Sequence, residues 1–126
     1  MNLARIYAIA FGVVYTLVGI LGFFVAPTLA VHNLVIFPVN APHNLVHLVA
    51  GLAGIGFFLS NRAVAYCRGM AVVFAIFVVA GFFPQPFLGL VPLGGADIAL
   101  HAATAILALV AGWIYVSSPK SERVAY

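Results

Sequence analysis

Four apolar runs, each close to the length needed to cross a bilayer, constrain this chain more than any other feature: residues about 6–26, 42–60, 68–83 and 96–117. A hydrocarbon core of roughly 30 Å takes about 20 residues of helix. The third run is short by that measure, so it either extends back through Tyr66 or tilts less than the others. Lipid offers backbone N–H and C=O groups no partners, which makes the runs helices rather than open strands. The composition agrees, because 66% hydrophobic and 6% charged residues leave too little polar surface to coat a soluble globule. The expected fold class is all-α: an integral membrane four-helix bundle, up-down-up-down, forming one domain over 1–126.

The opening "MNLAR" followed by a long apolar run has some character of a signal peptide. Its run exceeds the roughly 7–15 residues of a cleaved apolar region, and "TLA" at 28–30 is a poor cleavage site. An uncleaved first span is expected. The single cysteine, Cys67, permits neither an internal disulfide nor a cysteine metal site and reads as an ordinary interfacial residue. "GLAGIG" at 51–56 has phosphate-loop spelling, but it lies inside a span with no preceding strand and no lysine.

Charge sets the orientation. Arg5 precedes the first span, Arg62 and Arg68 lie between the second and third, and Lys120 and Arg123 follow the fourth. All five fall on one side, which the positive-inside rule makes the cytoplasm, with both termini there. The expected location is the inner (plasma) membrane of a bacterium. Tyr7, Tyr66, Trp113 and Tyr115 lie near the same boundary and read as an aromatic belt. Five separated cations supply no nucleic-acid patch, so the basic pI of 9.4 follows from topology alone.

The remaining polar chemistry collects on the opposite side. His32, Asn33, Asn40, His43, Asn44, His47, Asp97 and His101 all lie in or beside the two outer loops, and they include every histidine. The two halves also match: "GFFVAP" ends the first span and "GFFPQP" the third, while "APHNLVHLVAG" and "GADIALHAATA" open the second and fourth. Aligned this way, His43 corresponds to Asp97 and His47 to His101, as in a parallel repeat about the membrane normal. Small residues mark where membrane helices approach, so faces bearing Gly51 and Gly54, or Ala105, Ala108 and Gly112, should point inward with their histidines. In the first span, Gly12, Thr16, Gly19 and Phe23 do the same.

Two readings of the histidines follow. In one, Asn40 caps the second span ahead of Pro42, His43 and Asn44 solvate its end, and His47 bonds to Asp97 or a loop carbonyl. In the other, two i, i+4 pairs converge, and His43, His47, Asp97 and His101 form a metal site suited to Zn or Cu. A further alternative has His47 and His101 as axial ligands of one haem. His32, in "LAVHNLVIF", is expected on a short interfacial helix, solvated. No serine or thiol stands on the outer side as a nucleophile, and below His47 and His101 the spans are almost wholly apolar. Neither catalysis nor a through-going ion path is expected. The functional classes are therefore a non-catalytic binding protein, or an accessory or assembly subunit of a larger membrane complex with purely structural histidines. The lipid bilayer is the expected surrounding, other subunits of a membrane complex or a second copy are the candidate partners, and nucleic acid is not expected as one.

At "FPVNAPHNLVHLVAGLAGI", with "GILGFF" before it and "DIALHAATAILAL" after, the chain resembles a bacterial family of small four-helix membrane proteins, domain of unknown function 4383. The family pattern Asn-x-x-His-Asn-x-x-His-x-x-x-Gly is met by Asn40, His43, Asn44, His47 and Gly51, and its later Asp/His pair by Asp97 and His101. The resemblance spans nearly the whole chain and implies the topology, but no activity. The short cytoplasmic tail departs from the family.

Overall fold

A computed structural model describes residues 1–116. Helix α1 (Leu3–Val25) leads into a two-stranded hairpin, β1 (His32–Leu34) and β2 (Phe37–Val39). Then come α2 (Ala41–Leu59), α3 (Ala63–Gly81) and α4 (Ala96–Leu109), whose last turn, Val110–Ile114, is π-helical. Four helices, the fourth counted as Ala96–Ile114, are long and apolar enough to cross a membrane. The fold is a helical bundle built from two antiparallel hairpins, α1 with α2 and α3 with α4.

The α1–α2 seam is the tightest because both helices place glycines in it. A Cβ on Gly51 would lie 2.2 Å from the Thr16 nitrogen, so only glycine lets the backbones approach this closely. Further out, a Cβ on Gly22 would meet the Asn44 amide at 1.9 Å. That space is what allows Asn44 to donate from Nδ2 to the Ala26 carbonyl at 2.9 Å and tie down the end of α1.

Asn40 organises the outer end. Its Oδ1 accepts from the His43 backbone N–H at 3.1 Å, capping α2. Its Nδ2 donates to the Leu29 carbonyl at 3.2 Å and to the Leu90 carbonyl at 2.6 Å. One amide thus caps the helix that carries two histidines and ties both outer loops over them.

Several expectations are corrected. The segment around His32 is a β-hairpin, not an interfacial helix. Pro38 cannot donate to a helical ladder and biases Phe37 toward extended backbone, and the flanking Val, Ile and Phe suit a strand. Val35 turns the hairpin at φ 61°. The third span begins at Ala63, ahead of Tyr66, and ends at Gly81. Tyr7 and Tyr66 are core residues rather than belt residues, because hydroxyls that can reach a carbonyl inside the bundle need no interface. Tyr7 donates to the Thr104 carbonyl at 3.0 Å and Tyr66 to the Ala50 carbonyl at 2.8 Å. Cys67 is also fully buried, its Sγ 3.7 Å from the Ala4 carbonyl. On α4 the buried stripe runs through Thr104, with Ala105 to one side. Lys120 and Arg123 lie outside the described residues, as does the last residue of the expected fourth span.

Candidate metal centre

His43 and His47 sit one turn apart on the buried face of α2, and Asp97 and His101 one turn apart on that of α4. All four are at most 2% exposed. The backbones of α2 and α4 stand at opposite corners of the bundle, so the side chains meet across its middle. His43 and Asp97 face each other, with Nε2 and Oδ2 3.4 Å apart. A level deeper, the ring centres of His47 and His101 are 6.3 Å apart, and His43 lies 4.3 Å from His47 and 5.8 Å from His101. The matched positions of the two sequence halves are thus spatial neighbours.

One nitrogen from each of His43, His47 and His101 lies within 4.8 Å of the other two. Asp97, in the first turn of α4, stands outside this triangle and beside His43. His32 lies on β1, exposed and apart from the cluster.

The electrostatic environment is unusual for a membrane interior. All six ring nitrogens of the three histidines and both Asp97 oxygens are buried without an aligned hydrogen-bond partner. The carbonyls of Pro38 and Pro92 lie near the His43 ring, but neither makes an aligned bond to it. Buried polar groups ordinarily find partners, because leaving each unmatched costs about 1–3 kcal/mol. The cluster concentrates eight such atoms in one place.

A tetrahedral metal with M–N bonds of about 2.0–2.1 Å needs nitrogens roughly 3.4 Å apart. The triangle, with sides within 4.8 Å, exceeds that spacing by at most about 1.4 Å. Haem does not fit. Tyr15 packs 5.2 Å from His47, Phe74 and Phe77 pack 5.1 and 5.8 Å from His101, and the His43 ring fills the remaining side. A macrocycle between His47 and His101 would have to displace these rings.

The walls of the site include residues not singled out from the sequence. Tyr15 is the most informative. Thr104 donates to the Leu100 carbonyl at 2.9 Å, so the Tyr15 hydroxyl donates to Thr104 Oγ1 at 2.7 Å, holding its ring beneath His47. Its signal was available, since Tyr15 interrupts the stripe of Gly12, Gly19 and Gly22 on the buried face of α1. Phe74 gave no comparable signal among the many apolar residues of its span.

These features define a class: a small polytopic membrane protein whose bundle encloses three converging imidazoles and a carboxylate near one end. The chain belongs to the family described as a domain of unknown function (DUF4383), whose family model matches residues 5–114. No curated protein and no solved structure matches it.

Proposed function

We propose that this protein is a non-catalytic inner-membrane protein that binds one transition-metal ion, Zn or Cu, through His43, His47 and His101, with Asp97 supplying compensating negative charge beside His43. The observation that carries this reading is the convergence of three buried imidazoles whose nitrogens make no aligned hydrogen bond, His43 lying 3.4 Å from Asp97. An all-nitrogen donor set suits Zn(II) and Cu(II). The only cysteine, Cys67, belongs to the opposite end of the bundle, where it packs beside Ala4. The rival role, an accessory subunit with structural histidines, calls for hydrogen-bonded imidazoles.

Orientation follows from charge. Arg5 donates to Asn61 Oδ1 and the Phe58 carbonyl, and Arg62 and Arg68 lie at the same end of the bundle, away from the histidines. The positive-inside rule makes that end cytoplasmic and puts the metal site within the outer leaflet, about a turn below the surface.

The test is elemental analysis of protein purified in mild detergent, loaded with Zn(II) or Cu(II) and dialysed. One ion per chain is expected for the wild type and for His32→Ala, and loss of the ion for His47→Ala and His101→Ala. Wild-type protein without stoichiometric metal, co-purifying instead with fixed partners, would favour the accessory-subunit role.

A further inference from the structure

At the end of the bundle away from the histidines, Arg68 is exposed, yet three features hold it in place. Its Nε donates to the Gly112 carbonyl at 2.9 Å, crossing from α3 to the last turn of the fourth span, where the helix dipole favours a cation. Its Cζ lies over the Trp113 ring, 5.5 Å from the ring centre. Gly112 leaves the side chain room to cross, since a Cβ there would lie 3.1 Å from Arg68 Cγ. Both Gly112 and Trp113 belong to the π-helical turn Val110–Ile114, and such turns are frequent at functional sites. The remaining donors of the guanidinium, on Nη1 and Nη2, have no partner among the described residues.

A groove of about 500 Å³ starts at Trp113 and runs between α3 and α4, where Ala71, Ala75 and Ala105 are small enough to leave a recess beside Ile76 and Ile106. Those two isoleucines are 59% and 60% exposed, on the face a bilayer would cover. Along the fourth span the groove extends from Ala105 to Trp113, about 12 Å at the rise of an α-helix. Val72 also lines it and lies one turn further into the membrane than Arg68 on α3, so the guanidinium stands at the mouth of the groove.

We propose that the groove and the arginine together bind a phospholipid whose headgroup carries net negative charge, with an acyl chain in the groove and the phosphate on the Nη donors of Arg68. The groove alone would take any chain; the fixed cation beside it selects the head. A phosphate accepts paired hydrogen bonds from a guanidinium, and one already held by Gly112 and Trp113 loses little freedom in making them. Phosphatidylcholine matches less well, because its choline brings a second cation to an end that holds Arg5, Arg62 and Arg68. Among the described residues that end has no carboxylate, Asp97 being at the other. The site is separate from the histidine cluster and does not depend on a metal.

Trp113 is the only tryptophan in the chain, so its fluorescence reports on the groove directly. The full chain is reconstituted in mixtures of phosphatidylglycerol and phosphatidylcholine with matched acyl chains, one lipid or the other carrying brominated chains that quench a tryptophan they touch. Phosphatidylglycerol is expected to be preferred at Trp113 about fivefold, the ratio that one arginine facing an anionic headgroup produces. Arg68→Gln should abolish the preference, whereas Arg62→Gln, at the N-cap of α3, should keep it. The wild-type ratio needs no substitution, and circular dichroism shows whether each variant is folded. Equal quenching by the two lipids in the wild type would overturn the proposal. A preference retained in folded Arg68→Gln, or lost equally in Arg62→Gln, would overturn it too, by assigning the effect to the net charge of this end. Weak quenching by both lipids in a chain that crosslinks as a dimer would give the groove to a second copy instead.

Discussion

Gly51 offers a stringent test of how the bundle positions its histidines. It lies one turn below His47 on α2, at the point where α1 comes closest. An alanine there would put its Cβ 2.2 Å from the Thr16 nitrogen, 2.3 Å from Thr16 Oγ1 and 2.7 Å from Thr16 Cα. Two of those atoms are backbone, so no rotamer relieves the contact. Ordinary van der Waals contact starts near 3.4 Å, so α1 must withdraw by at least about 1.2 Å. Overpacking of that kind costs about 1–3 kcal/mol, against a gain below about 1 kcal/mol from replacing glycine within a helix. A net loss of about 1 kcal/mol is expected for Gly51→Ala. Gly56 is on the same helix with open space where its Cβ would be, so Gly56→Ala should be neutral or slightly stabilising. Equilibrium unfolding by steric trapping in bicelles measures both. Withdrawal of α1 also moves Tyr15 away from His47, so metal affinity should fall in Gly51→Ala and not in Gly56→Ala. Equal stability of the two variants would refute the close α1–α2 packing and the geometry that depends on it.

Other outcomes follow from individual contacts. Asn40→Ala should lose about 1–2 kcal/mol through its cap alone, and proteolysis in both outer loops should rise together, because one amide holds both. Tyr15→Phe should cost only about 0.6 kcal/mol in the same unfolding assay, since Thr104 keeps its bond to Leu100. Val35→Gly should stabilise the hairpin by about 1 kcal/mol, because a β-branched residue at φ 61° is strained and glycine is not. Reporter fusions after residues 30 and 90 should read as external and one after residue 64 as cytoplasmic, with the opposite signal at either outer position reversing the orientation.

The helices and the inward faces of α2 and α4 could be read from the chain because membrane spans carry two strong signals: length of apolar run, and placement of small and polar residues. Gly51, Gly54 and the histidines carried both, and the pairing of His43 with Asp97 and of His47 with His101 followed from matching the halves. The hairpin was harder to see, because "LAVHNLVIF" has no clear period and its geometry depends on Pro38 and a strained turn at Val35. Tyr7 and Tyr66 were misplaced for a physical reason: tyrosine near a span end serves equally at the interface or in the core, and only the position of an available carbonyl decides. Asp97 lies beside His43 rather than in the triangle of imidazoles, a distinction of side-chain reach that spacing alone does not encode.

Whether three imidazoles share one metal is read from X-ray absorption at the metal edge of zinc-loaded protein. A shell of nitrogen or oxygen ligands at about 2.0–2.1 Å is expected, with outer scattering from three imidazole rings and none from sulfur. His101→Ala should lose one ring from that pattern or lose the metal altogether. A sulfur ligand, fewer than two imidazoles in the wild type, or a spectrum unchanged by His101→Ala would contradict it.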